Sequence, residues 1–65
     1  IENYIRKYRF LADEMTQQEL ADQIGVTRQT VIAIESMKYS PTLELAFKIA
    51  QVFNVDLSEL FQYRP

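Results

Sequence analysis

The run Met15 to Glu35, "MTQQELADQIGVTRQTVIAIE", holds the only glycine of the 65-residue chain, Gly25. On each side of it lies a short amphipathic stretch opened by a threonine. Thr16 followed three residues later by Glu19 has the spacing of a capping box, in which each side chain satisfies an orphan amide at a helix start. Leu20, Ala21 and Ile24 fall on one face of the helix that follows, and Gly25 ends it, because glycine enters the left-handed C-terminal position without steric penalty. Thr27 is the natural N-cap of the next helix, with Val31 and Ile34 as its inner face. Two short helices joined at a glycine turn meet at a steep angle. They need a small residue where they cross, which Ala21 supplies.

The rest of the chain reads as helices around this pair. "ENYIRKYRFLA" places Ile5, Tyr8 and Leu11 or Ala12 at helical spacing, and Asp13-Glu14 interrupts it. After "MKYSP", Thr42 caps "LELAFKIAQVF", with Leu43, Ala46, Ile49, Ala50 and Phe53 on one stripe and Asn54 as the stop. "DLSE" opens a short last helix through Phe61, and the tail "QYRP" is expected to be irregular or extended. The expectation is an all-α, compact five-helix bundle in one domain, 1–65, with its helix-turn-helix formed by the second and third helices.

Composition removes several chemistries. There is no cysteine and no histidine, so disulfide scaffolds, the usual zinc sites and Cys- or His-based catalysis are not expected. No nucleophile–base pair or phosphate loop stands out, and an isolated carboxylate such as Glu35 suits an ion pair better than hydrolysis. The expectation is therefore a protein that is not an enzyme and holds no cofactor, metal or small ligand. No apolar run approaches the ~20 residues that cross a bilayer. No signal-peptide pattern appears, and a start at Ile1 suits a processed or trimmed chain.

The net charge is −2, which argues against indiscriminate nucleic-acid binding but not against binding through one face. Between Gly25 and Thr42 the charged residues are Arg28, Lys38 and Glu35, two cations against one acid, so this span is +1. The positions of the third helix left over by Val31 and Ile34 include Arg28, Gln29, Ala33 and Ser36, with Thr30 nearer the flank. Arginine pairs bidentately with guanine and glutamine with adenine, while a bare alanine permits close approach to a thymine methyl. Thr27 and Gln17, near helix starts, are placed to hold phosphates. On an arbitrary helix Arg28 and Gln29 would be ordinary solvated residues; the motif around them favours recognition.

"TQQELADQIGVTRQTVIAIE" with "SPTLELAFKIAQVFNV" resembles the Cro/repressor-type (XRE-like) helix-turn-helix family of DNA-binding transcriptional regulators, over roughly Ile5 to Phe61. The resemblance implies a phage-repressor-like bundle whose third helix lies in the major groove of double-stranded DNA. It implies base contacts from Arg28, Gln29 and Ala33 and backbone contacts from Gln17, Thr27, Thr30, Ser36 and Lys38. Thr16, Ala21, Gly25, Val31, Ile34 and Glu35 would carry the motif's structure. It further implies a repressor working in the prokaryotic cytoplasm or nucleoid. In this family an arginine of the first helix often pairs with the glutamate of "IE", here Arg9 with Glu35. The pattern has glycine where this chain has Glu14 and Met37, and at Met37 a side chain needs another turn or a strained backbone.

The aromatic residues are numerous for one small core. Phe47 falls off the inward stripe of its helix, and Phe61 and Tyr63 lie near the chain end. These three are the expected homodimer interface. A second expectation is an antitoxin-like protein-interaction module with secondary DNA binding, which the acidic balance and the aromatics favour.

Overall fold

The structure, a computed structural model, describes residues 1–63. Five helices follow one another: α1 (Ile5–Leu11), α2 (Gln17–Ile24), α3 (Arg28–Glu35), α4 (Leu43–Phe53) and α5 (Leu57–Leu60). A small ribbon was not foreseen. Strand β1 (Glu2–Asn3) runs antiparallel to β2 (Phe61–Gln62), pairing Glu2 with Gln62 and Asn3 with Phe61. The last helix therefore stops one residue early, and the tail is extended at Phe61 and Gln62 because β1 pairs with it. Arg64 and Pro65, also expected to be irregular or extended, lie outside the described residues.

The caps form as the threonines require. Thr16 Oγ1 accepts from the Glu19 amide at 3.0 Å, while the Thr16 amide donates to the Glu19 carboxylate at 2.9 Å. These bonds, the backbone one foremost, hold the Glu19 carboxyl below its ordinary value. Its contribution to stability is present above that ordinary value and is lost as pH falls through the lowered one. Thr27 and Thr42 cap α3 and α4 in the same way, accepting from the Thr30 and Leu45 amides.

Three helices end on a single device. After α2, α3 and α4 the chain turns through a left-handed residue, Gly25 (φ 74), Met37 (φ 63) and Asn54 (φ 54). In each the next amide reaches back five residues: Val26 to Ala21, Lys38 to Ala33 and Val55 to Ala50, at 3.0–3.1 Å. This is the Schellman closure of orphan carbonyls. Met37 thus keeps the turn that glycine makes elsewhere and accepts the strain. The link between α1 and α2 is left-handed at both Asp13 (φ 59) and Glu14 (φ 56), so the position where the family pattern has glycine keeps a positive φ here.

The core is Ile5, Leu20, Ala21, Ile24, Val31, Ile34, Ala46, Ile49, Ala50 and Leu60, each at most 6% exposed. Ala21 is fully buried, as a small crossing residue must be. Tyr8 and Phe53 stack beside this core with ring centroids 6.0 Å apart. Leu43, an expected inner position, lies outside it at 65% exposed, and of the alternatives Leu11 and Ala12 the first is 65% exposed and the second half-buried. Leu43 stands in the first turn of α4 and Leu11 at the last residue of α1. At either end of its helix, the packed neighbours cover the stripe but not its tip.

An added Cβ at Gly25 meets nothing within 4 Å, so Gly25→Ala is penalised by its backbone alone. It is expected to lose about 1–2 kcal/mol. Met37→Gly, with its side chain 61% exposed, is expected to gain up to about 1 kcal/mol. Urea unfolding of the two variants checks the opposite signs.

Candidate nucleic-acid interface

Burial of Val31 and Ile34 against α2 fixes which side of α3 faces outward. Arg28 and Gln29 are exposed in its first turn, Ile32 and Ala33 are half-buried on the outer side, and Ser36 and Lys38 are exposed beyond its end. The residues expected to read bases therefore share one open surface. Thr27 and Thr30 flank its start, and their hydroxyls lie 3.2 Å apart, so part of their hydrogen-bonding capacity is turned inward. Ser36 likewise donates to the Ala33 carbonyl at 3.2 Å.

The acid within α3 is withdrawn from this surface. Glu35 receives Arg9 Nε at 2.7 Å and Arg9 Nη2 at 3.0 Å, a two-pronged pair whose side chains are 14% and 11% exposed. The third prong, Nη1, donates to the Met15 carbonyl at 2.8 Å. The expected pairing of Arg9 with Glu35 is thus present. A carboxylate at a helix C-terminus opposes the helix dipole, and the guanidinium offsets that. Gln17, expected to hold a phosphate, also donates to Glu35, at 3.4 Å. Its amide is oriented by the ion pair at the entrance of α2.

Around this pair opens a cleft of about 780 Å³, bordered by Arg6, Gln17, Gln18 and Arg28 among others. Arg6 was missed by sequence reasoning, although it precedes Arg9 by three and so shares a side of α1. Asn3 was missed too: its amide donates to the Ile34 carbonyl at 2.9 Å and its Oδ1 accepts from the Ile5 amide at 3.3 Å. It ties the ribbon to the end of α3. The partner is 31 residues away, and no local pattern signals it.

On another side Phe47 (50% exposed), Phe61 and Tyr63 (75% exposed) come together with Ile1 and Leu57 in an apolar groove of about 510 Å³. The three aromatics singled out from sequence are therefore neighbours. Among the described residues no group of His, Cys, Asp or Glu has a metal-holding arrangement, and no helix is long and apolar enough to cross a membrane.

A helix-turn-helix family model matches residues 5–60. The chain is 49% identical over 63 residues to an uncharacterized HTH-type transcriptional regulator of Methanocaldococcus jannaschii, covering 97% of this chain and 94% of that one. It is 53% identical over 47 residues to an HTH-type transcriptional regulator of Archaeoglobus fulgidus, covering 72% and 67%. It is 38% identical over 47 residues to the cryptic phage CTXphi transcriptional repressor RstR of Vibrio cholerae, covering 72% and 42%. The chain belongs to the Cro/repressor-type helix-turn-helix family.

Glu35→Gln leaves the Arg9 guanidinium enclosed with a neutral partner and is expected to destabilise by about 3 kcal/mol. Replacing both partners, Arg9→Met with Glu35→Leu, is expected to recover part of that loss, because two apolar groups remove the unpaired charge. Urea unfolding of the single and double variants reads the difference; a loss below about 1 kcal/mol for Glu35→Gln would class the pair with exposed ones.

Proposed function

We propose that this helix-turn-helix protein is a sequence-specific DNA-binding transcriptional repressor of the prokaryotic cytoplasm, one domain per chain. It would lay α3 in the major groove and bind as a homodimer on a two-fold operator, with half-sites about one helical turn apart. The observation that carries this reading is the outer side of α3, where Arg28 and Gln29 are exposed and Ala33 half-buried while the helix's one acid, Glu35, is held by Arg9. Arg28 offers a bidentate donor to guanine, Gln29 a donor–acceptor pair to adenine, and Ala33 leaves room for a thymine methyl. Thr27, Thr30, Gln17, Ser36 and Lys38 would set register on phosphates, which carry no sequence information.

The RstR name, that of a transcriptional repressor, supports repression here. A domain of this size acts most simply by occupying the promoter. Selection of bound sequences from a random DNA pool is the direct test. Enrichment of a two-fold site is expected, and absence of any enriched sequence overturns the reading. On the selected site Arg28→Ala is expected to lose roughly 1–3 kcal/mol and to relax preference at one base pair; unchanged binding would remove Arg28 from the base readers.

Homodimerisation is supported by the groove holding Phe47, Phe61 and Tyr63. Sedimentation is expected to find a dimer that Phe47→Glu dissociates. A parent protein that stays monomeric at high micromolar concentration overturns the dimer. A stable complex with a second protein in the absence of DNA would instead favour a protein-interaction module.

A further inference from the structure

Arg6 is exposed on α1 and borders the same open cleft as Arg28. Neither guanidinium makes an ion pair with a described residue, whereas Arg9 in the same cleft is bound to Glu35. With Arg9 and Glu35 cancelling, the cleft keeps two cations, Arg6 and Arg28, against one acid, Glu14. A cleft with surplus positive charge, on a protein whose total is −2, is a local departure from the rest of its surface. The cleft also holds the Gln17 and Gln18 side chains, whose amides donate to Glu35 and Asp22 and each keep a second N–H as an uncharged donor. Such a set suits a phosphodiester: a charge to neutralise the oxygen and neutral donors to orient it.

We propose that this cleft seats a phosphate of the DNA backbone, with Arg6 as its principal anchor and Glu14 as an opposing charge that weakens the grip. The inference rests on the DNA-binding reading above and assigns to α1 a contact that the helix-turn-helix itself does not provide. Arg28 begins α3 and reaches toward the groove. Arg6, on a different helix but in the same cleft, meets the strand that borders that groove. A contact there fixes where the backbone lies relative to Arg28, and so orients the base reader without reading sequence. Glu14 owes its place to the left-handed link, where its φ of 56° turns the chain between α1 and α2.

The test uses the site recovered by pool selection and the variants Arg6→Ala, Arg6→Lys and Glu14→Gln. Arg6→Ala is expected to weaken binding several-fold, by the same factor on the selected site and on its single-base variants. The slope of log affinity against log salt should fall by about 1 for each subunit. Between about 50 and 200 mM salt, each subunit would then lose roughly threefold less affinity than the parent. Arg6→Lys should keep most of the slope, and Glu14→Gln should tighten binding. Thermal unfolding of Arg6→Ala should match the parent, since the side chain is exposed and unpaired. Parental affinity and slope in Arg6→Ala overturn the anchor while leaving the DNA reading intact, provided Arg28→Ala still loses discrimination. A loss confined to one base pair also overturns it, by making Arg6 a base reader. A parent that enriches no sequence overturns both readings.

Discussion

The position of α3 depends on one guanidinium. Arg9 reaches from α1 to the last residue of α3 with two prongs and to the carbonyl of Met15 with the third. It thereby fastens the first helix, the link before α2 and the end of α3 in one plane. A lysine would supply the charge but not the fork, and one ammonium cannot meet three acceptors held in that geometry. The pair is mostly enclosed, so it is not fastened for stability alone: an apolar replacement could pack as well. What an apolar replacement would lack is direction. The fork holds the end of α3 at a defined angle and removes the only acid from that helix's outer surface, so orientation and electrostatics are set by the same contact.

Around that fastening, helix ends do most of the folding work. Threonine starts α2, α3 and α4, and a left-handed residue finishes each of them. The starts share one chemistry, a hydroxyl accepting from the amide three positions on. The stops share one geometry but not one residue. Glycine makes the turn freely, asparagine tolerates it, and methionine endures it at about 1 kcal/mol. Closure of two orphan carbonyls, together with the Asn3 amide on the Ile34 carbonyl, holds Met37 in place. Asn3 also binds the chain's first residues to its last through the ribbon, so an isolated pair of two-residue strands, too short to persist alone, is fixed to the core at both ends.

Features written in local spacing were legible beforehand. The threonine caps, the glycine stop, the inner faces of α2 and α3 and the exposure of Phe47 all follow from intervals of three and four residues. The Arg9–Glu35 pair came from family resemblance and not from spacing, because 26 residues separate the partners. What stayed hidden is non-local or terminal. The ribbon pairs residues at opposite ends of the chain, and nothing in "IEN" or "FQY" alternates over enough positions to mark a strand. Leu11 and Leu43 obey the helical period, yet they lie where their helices run out past their neighbours, a matter of tertiary layout. Arg6 reads as a solvated residue of α1 until the fold brings it to the cleft that Arg28 also borders.

An acidic protein in a DNA-binding family is not a contradiction, because screening makes charge local. At physiological salt the Debye length is about 8 Å, shorter than the width of this molecule, 19 Å along its smallest dimension. Acids on the far side would therefore be largely screened from a strand that lay along α3. What the distant acids do affect is encounter: a net negative body is steered toward DNA only by its basic side. Binding under these conditions favours few, well-placed contacts over many diffuse ones. On the proposed reading, a single subunit with so small a positive surface would gain little from the backbone, and discrimination would have to come from the base edges. The proposed two-fold pairing would double the backbone contacts without enlarging either surface. In the proposed dimer the apolar groove of Phe47, Phe61 and Tyr63 and the acid-free side of α3 would be two parts of one arrangement, the first multiplying what the second could only weakly supply.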